Sequence, residues 1–296
     1  MLVVPISLFA QSAEDYFNQG KTYFEQGDYN RAITALTNSI RLAPFAANAY
    51  LGRGTAYNAN GDITRAIEDF TQAIRLNPNL ANAYYFRGNA YQDSGDNTRA
   101  IADYTEAIRL NPNDDEAYFG RGVAYQVSGD NTRAIADFTQ AIRLNPNDAI
   151  AYTNRGNAYQ DSGDNTRAIA DFTEALRINP NFADAYYNRG IAYRVSGDNT
   201  HAIADFTQAI RLNPNLAQAF YGRGNAYQAS GDNTRAIADF TEALRLNPNY
   251  ADAYVNRGVS YARNGDNTRA IADLEAALRI DPNNTNARRN LEILRQ

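Results

Sequence analysis

Six aspartates recur at a 34-residue interval, each four residues after an arginine: Arg65/Asp69, Arg99/Asp103, Arg133/Asp137, Arg167/Asp171, Arg235/Asp239 and Arg269/Asp273. A row of carboxylates could serve acid–base catalysis. Recurrence in nearly every repeat, each time with a nearby arginine, speaks against it. Arginine and aspartate four apart on one helix are neighbours on its surface, and the pattern predicts a solvated face of ion pairs.

The rest of the chemical repertoire is narrow. No cysteine occurs, which excludes disulfides, thiolate metal sites and cysteine nucleophiles. The single histidine, His201, stands where neighbouring repeats carry Arg167 and Arg235, so it reads as a surface exchange and not as a ligand or base. Phosphate loops of the G-x-x-x-x-G-K-S/T kind, G-x-S-x-G elbows and H-E-x-x-H pairs do not occur. The recurring S-G-D-N-T turns supply too few acidic oxygens for calcium, which takes about six to eight ligands, and fit helix caps instead. No catalytic residue, metal or cofactor is expected. A net charge of -5 and a pI near 5.0 oppose nucleic-acid binding, which needs a basic stripe.

The elements that carry these residues repeat. The string S-G-D-N-T-R-A-I-A-D returns every 34 residues with its glycine at Gly95, Gly129, Gly163, Gly197 and Gly231, and prolines keep the register from Pro44 to Pro282. Within one repeat Tyr152, Gly156 and Tyr159 step by four and three, as do Ala168, Ile169, Phe172, Ala175 and Leu176. This is helical spacing, so each repeat holds two helices. Gly163 can close the first in the left-handed conformation, Asp164 or Thr166 can cap the second, and Asn179-Pro180 stops it. Gly156 lies mid-helix, where glycine costs about 1 kcal/mol against alanine. A close approach of a neighbouring backbone is the expected reason.

The reading is therefore all-α: an apolar segment 1–12, eight repeats (13–46, 47–80, 81–114, 115–148, 149–182, 183–216, 217–250 and 251–284) and a capping helix in 285–296. Two short helices bury too little to offset their own ordering, so each repeat must stack on the next. A slower period of 68 residues is superimposed. Asn89, Asn157 and Asn225 alternate with Val123 and Ile191, while Glu106, Glu174 and Glu242 alternate with Gln140 and Gln208, which reads as pairwise duplication.

Tyr152-Thr-Asn-Arg-Gly156-Asn-Ala-Tyr159 followed by Ala168-Ile-Ala-Asp-Phe172-Thr-Glu-Ala175-Leu-Arg-Ile-Asn-Pro180 resembles the tetratricopeptide repeat family, over about nine tenths of the chain. The resemblance implies a right-handed α-solenoid superhelix of helix-turn-helix repeats, whose first helices line a concave groove for extended peptides or partner helices. Tryptophan is replaced by tyrosine or Phe220, and arginines from Arg53 to Arg257 stand where leucine is frequent, their stems covering apolar surface while the heads reach solvent or a carbonyl. Some members grip a C-terminal carboxylate with several lysines. Lys21 is the only lysine here, and Phe17 and Gly52 occupy key places, so that mode is not expected.

The face left free by the packed stripe, at 100° per residue, is the candidate binding surface. In the third and fourth repeats it carries Tyr85, Asn89, Gln92, Phe119 and Gln126; in the fifth, Asn154, Asn157 and Gln160. In the sixth it carries Tyr187, Asn188 and Arg194; in the last two, Tyr221, Asn225, Gln228, Asn256 and Arg263. Amide side chains match a peptide backbone, and tyrosine gives large area with few rotatable bonds. Asn154, Asn188 and Asn256 resemble part of an asparagine ladder found in the family, interrupted at Gly120 and Gly222.

The function so implied is a non-catalytic scaffold that holds a protein or peptide. An RNA-binding helical-repeat protein and the regulatory subunit of a separate enzyme are the alternatives. The former is opposed by the 34-residue period, the proline stop and the acidic charge. The apolar N-terminal segment is too short to span a bilayer and resembles a truncated signal peptide, which favours export over a cytoplasmic location.

Overall fold

The computed structural model describes residues 11–296, so all but the last two residues of the segment 1–12, on which the signal-peptide reading rests, lie outside the described residues. Among the described residues there are seventeen helices and no strand. They run as α1 (Ala13–Glu25), α2 (Tyr29–Leu42), α3 (Ala47–Ala59), α4 (Ile63–Leu76), α5 (Ala81–Asp93), α6 (Asn97–Leu110), α7 (Asp115–Val127) and α8 (Asn131–Leu144). The second half continues as α9 (Ala149–Asp161), α10 (Asn165–Ile178), α11 (Ala183–Val195), α12 (Asn199–Leu212), α13 (Ala217–Ala229), α14 (Asn233–Leu246), α15 (Ala251–Arg263), α16 (Asn267–Ile280) and α17 (Thr285–Leu294). None is long and apolar enough to cross a membrane.

Contacts divide the chain into two compact units, one ending at Pro146 and one beginning at Asn147. Within the first, each odd-numbered helix packs along the even-numbered helix that follows it, and that helix packs on the next odd one. The same scheme orders the second unit. Inside each unit odd helices also touch the next odd helix, whereas among the described residues even helices never touch one another. The odd helices therefore form the inner side of each unit's bend.

The local reasons are those of capping and close packing. At the turn between α9 and α10, Gly163 adopts φ +83°, a conformation that a Cβ would strain. Asp164 then caps α10 by accepting the Arg167 backbone N–H at 2.9 Å. That bond first, and the Arg167 side chain second, hold the Asp164 carboxyl below its ordinary pKa. Every even helix buries a large ring or a leucine, and Phe172, Phe206 and Phe240 are wholly enclosed. Gly156 owes its place to such a ring: a Cβ there would stand 2.7 Å from Cε1 of Phe172. The neighbour that fills its space is an aromatic edge, not the expected backbone.

The recurring carboxylates do not form the solvated face. Asp171 is buried and accepts two bonds from Arg155 on α9, Nε to Oδ2 at 2.8 Å and Nη2 to Oδ1 at 2.7 Å. Arg167 turns the other way and meets the cap Asp164 at 2.6 Å, its guanidinium over the Tyr159 ring. The cause is geometric. Helical side chains lean toward the N-terminus, so Arg167 reaches back to its cap, while Asp171 shares the stripe of Ala168 and Ala175, both fully buried against α9.

The same two-pronged pair joins Arg53 to Asp69, Arg87 to Asp103, Arg121 to Asp137, Arg189 to Asp205, Arg223 to Asp239 and Arg257 to Asp273. These arginine heads do not seek solvent or a carbonyl, contrary to expectation. In the second unit Arg189, Arg223 and Arg257 each add a bond to a threonine of the preceding repeat, Thr173, Thr207 and Thr241, at 3.0, 3.0 and 3.1 Å. One guanidinium thus ties two helices of its own repeat to a third helix of the previous one. The first repeat has Gln19 and Ala35 at the corresponding places and lacks this tie.

Candidate functional site

The candidate residues of the second unit lie on the odd helices. Asn188 on α11 donates from Nδ2 to Oδ1 of Asn157 on α9 at 3.0 Å. Two repeats later Asn256 on α15 donates to Asn225 on α13 at 2.8 Å and to the Tyr221 hydroxyl at 3.1 Å. Gln228 donates to the Asn256 carbonyl and to Ser260 Oγ at 2.9 and 2.8 Å. The 68-residue period is thereby more than duplication in this unit. Asparagine appears on α9 and α13, where the next odd helix offers an asparagine to meet it.

In the first unit the counterpart on the next helix is Gly120, and Asn89 finds another partner. Its Oδ1 lies 2.6 Å from the hydroxyl of Tyr104, and Oε1 of Gln92 lies 2.7 Å from the same hydroxyl. A phenol has one proton to give, so one of the two amides must turn its NH2 toward the phenol oxygen. Burial pushes the Tyr104 pKa up and keeps that proton in place.

The aromatic candidates are seated on core rings. Tyr187 lies 6.0 Å from Phe206 between centroids, Tyr221 5.8 Å from Phe240 and Phe119 5.7 Å from Phe138. Tyr85 leans on Phe86 and Tyr104. Burial raises the pKa of Tyr85, Tyr187 and Tyr221. Asn154 is turned to its own helix and donates to the Ile150 carbonyl at 2.9 Å, so it does not join the Asn157–Asn188 pair. The side chains of Gln126, Gln160 and Arg194 are half-buried and that of Arg263 is exposed; none makes a hydrogen bond or ion pair among the described residues.

The asparagine pair borders a groove of about 510 Å³. Thr153, Asn154 and Asn157 of α9 and Asp184, Tyr187 and Asn188 of α11 line it. So do Phe182, Leu216 and Gln218. The last three and Asp184 are absent from the sequence-derived face. A signal for two of them existed: Asp184 precedes Asn188 by four residues and Gln218 precedes Gly222 by four, one helical turn on the same face.

Comparison with family models finds matches described as tetratricopeptide repeat at residues 17–81, 85–149 and 221–285, with further repeat matches at 138–170, 156–194 and 183–216. No curated protein matches the sequence. Among solved structures, YrrB, titled a TPR protein with an unusual peptide-binding site, is 26% identical with a TM-score of 0.56 and covers 64% of this chain and 97% of its own. MamA is 28% identical with a TM-score of 0.53, covering 56% of this chain and 96% of its own. A tetratricopeptide repeat protein from Parabacteroides merdae shares the fold at 21% identity and a TM-score of 0.61, over 85% of this chain and 99% of its own.

Proposed function

The chain belongs to the tetratricopeptide repeat family, and from that premise we propose that the face of α9, α11, α13 and α15 holds an extended segment of a partner protein. Repeats of this family serve as protein-interaction scaffolds, and YrrB is a relative whose title names a peptide-binding site. The observation that carries the reading is the bonded pair Asn157–Asn188 at the edge of the groove. Each amide has one carbonyl and two N–H groups, and the mutual bond uses the Asn157 carbonyl and one Asn188 N–H. The Asn188 carbonyl and the Asn157 NH2 remain, an acceptor and a donor fixed side by side, which is the complement of a peptide group. Holding them in place before binding lowers the ordering cost of association. Tyr187, set on Phe206, and the apolar Phe182 and Leu216 add area for a side chain.

Affinity capture tests the reading. The variant Tyr187→Ala/Asn188→Ala, with helicity matched to the parent, recovers the partner at least tenfold less efficiently, about 1.4 kcal/mol of binding. Equal recovery of identical partners from both proteins contradicts the assignment of this face.

A further inference from the structure

A second concavity lies in the first unit and shares no lining residue with the amide groove. It holds about 260 Å³ between α1, α3 and α5, and Phe17, Phe24, Leu36, Leu51 and Phe86 give it an almost wholly apolar lining. Its origin is a local departure from the repeat. Phe70, Tyr104, Phe138, Phe172, Phe206 and Phe240 occupy the place of Leu36 in later repeats, and Gly52 stands where the next repeat puts Phe86 and others put Asn154, Asn188 and Asn256. A leucine for a ring and a glycine for a side chain leave a hollow at the start of the array. The volume falls just below the ~300 Å³ at which small-molecule pockets begin and suits a single bulky side chain with its adjoining backbone.

The polar groups at the rim are ordered by charge. Counting 34 residues, Lys21 on α1 is level with Thr55 on α3, Glu25 stands one turn further on, and Asn48 lies toward the opposite end. Lys21, Glu25 and Asn48 are exposed, and their side chains make no hydrogen bond or ion pair among the described residues. The Asn48 end is also where α3 begins, and its N-cap residue Ala46 offers no side-chain acceptor to the first-turn amides. An anion is therefore favoured from Lys21 toward Asn48, and disfavoured beside Glu25.

We propose that this pocket binds a partner peptide in which a leucine-sized or aromatic residue follows an acidic one. The apolar side chain fills the hollow, and the carboxylate lies between Lys21 and the start of α3. The pocket is independent of the amide groove, so the two assignments stand or fall separately.

The test titrates the isotopically labelled full chain with capped peptides and follows the Gly20 and Gly52 amides by NMR. Ac-Gly-Asp-Leu-Gly-NH2 shifts both glycines in a saturable manner, at least fivefold more tightly than Ac-Gly-Lys-Leu-Gly-NH2, and Ac-Gly-Asp-Gly-Gly-NH2 leaves them still. Leu36→Phe installs the ring that most later repeats carry at this place, so the fold is kept while the hollow is filled, and binding falls at least tenfold. Lys21→Glu removes or reverses the preference for the acidic peptide. Unmoved glycines in millimolar peptide, or undiminished binding to Leu36→Phe, overturn the site; equal affinity for the acidic and basic peptides overturns the charge assignment. If Phe9→Asp tightens peptide binding, or if the two glycines shift with protein concentration alone, the occupant is the chain's own N-terminal segment or a second copy, and the partner assignment is wrong.

Discussion

Replacing Asp205 by alanine destabilises α11 and α12 by about 3 kcal/mol, because it leaves the Arg189 guanidinium enclosed without its carboxylate. Arg189 meets Asp205 through Nε at 2.7 Å and Nη2 at 2.8 Å, and the two side chains retain only 17% and 7% of their exposure. The residual access of the arginine keeps the expected loss at the lower end for a buried pair. Replacing both partners, Arg189→Leu/Asp205→Leu, restores most of the stability, since an apolar pair of similar size needs no counter-charge. The pair and its bond to Thr173 thus act on arrangement as well as on energy, since the guanidinium fixes how the sixth repeat sits on the fifth. Hydrogen exchange of the α11 and α12 amides measures this directly. A loss under 1 kcal/mol in the single variant, or a double variant worse than the single, contradicts the role given to the pair.

The other large effect is expected at Phe206. Its ring is fully enclosed between α11 and α13: Cβ atoms added at Gly190 and Gly222 would stand 2.9 and 2.8 Å from its Cε1. Two helix backbones, one from α11 and one from α13, thus pack directly against the ring. Phe206→Ala costs about 3–5 kcal/mol, the range for truncating a buried aromatic ring. Because stability in a stacked array is nearly a sum over neighbours, the loss is concentrated in the sixth repeat and its two interfaces. Urea unfolding of parent and variant checks it, and a change under 1.5 kcal/mol shows that the ring does not hold the repeats together.

Most of the fold was legible because its signals are local. Helical spacing of Tyr152, Gly156 and Tyr159, the glycine at 163 and the proline at 180 each act within a few residues, and the helices α9 and α10 begin and end where those residues direct. The arginine–aspartate pairs were misread because their signal is not local. Arg155 and Asp171 are sixteen residues apart on different helices, whereas Arg167 and Asp171 fit the one-helix rule and are not bonded. A cue was present in Asp171 itself, which falls on the stripe of Ala168, Phe172 and Ala175 and so had to be buried. The candidate face was traced along the middle of each odd helix by periodicity, which names the face but not the neighbours across it. Hence Asn157 and Asn188 were both named while their bond was not, and Phe182, Leu216 and Gln218, which line the groove from the starts of the helices, were missed. The hollow at Leu36 was hidden for another reason. It is made by what a leucine and a glycine fail to fill, and a list of residues present does not display that.

The most direct measurement of the binding claim is photo-crosslinking from single sites in the second unit. A photoreactive residue at Gln160, on the candidate face of α9, captures the partner, and the same residue at the exposed Arg177 of α10 does not. Capture from Arg177 without capture from Gln160 would place the partner on the even helices and contradict the account.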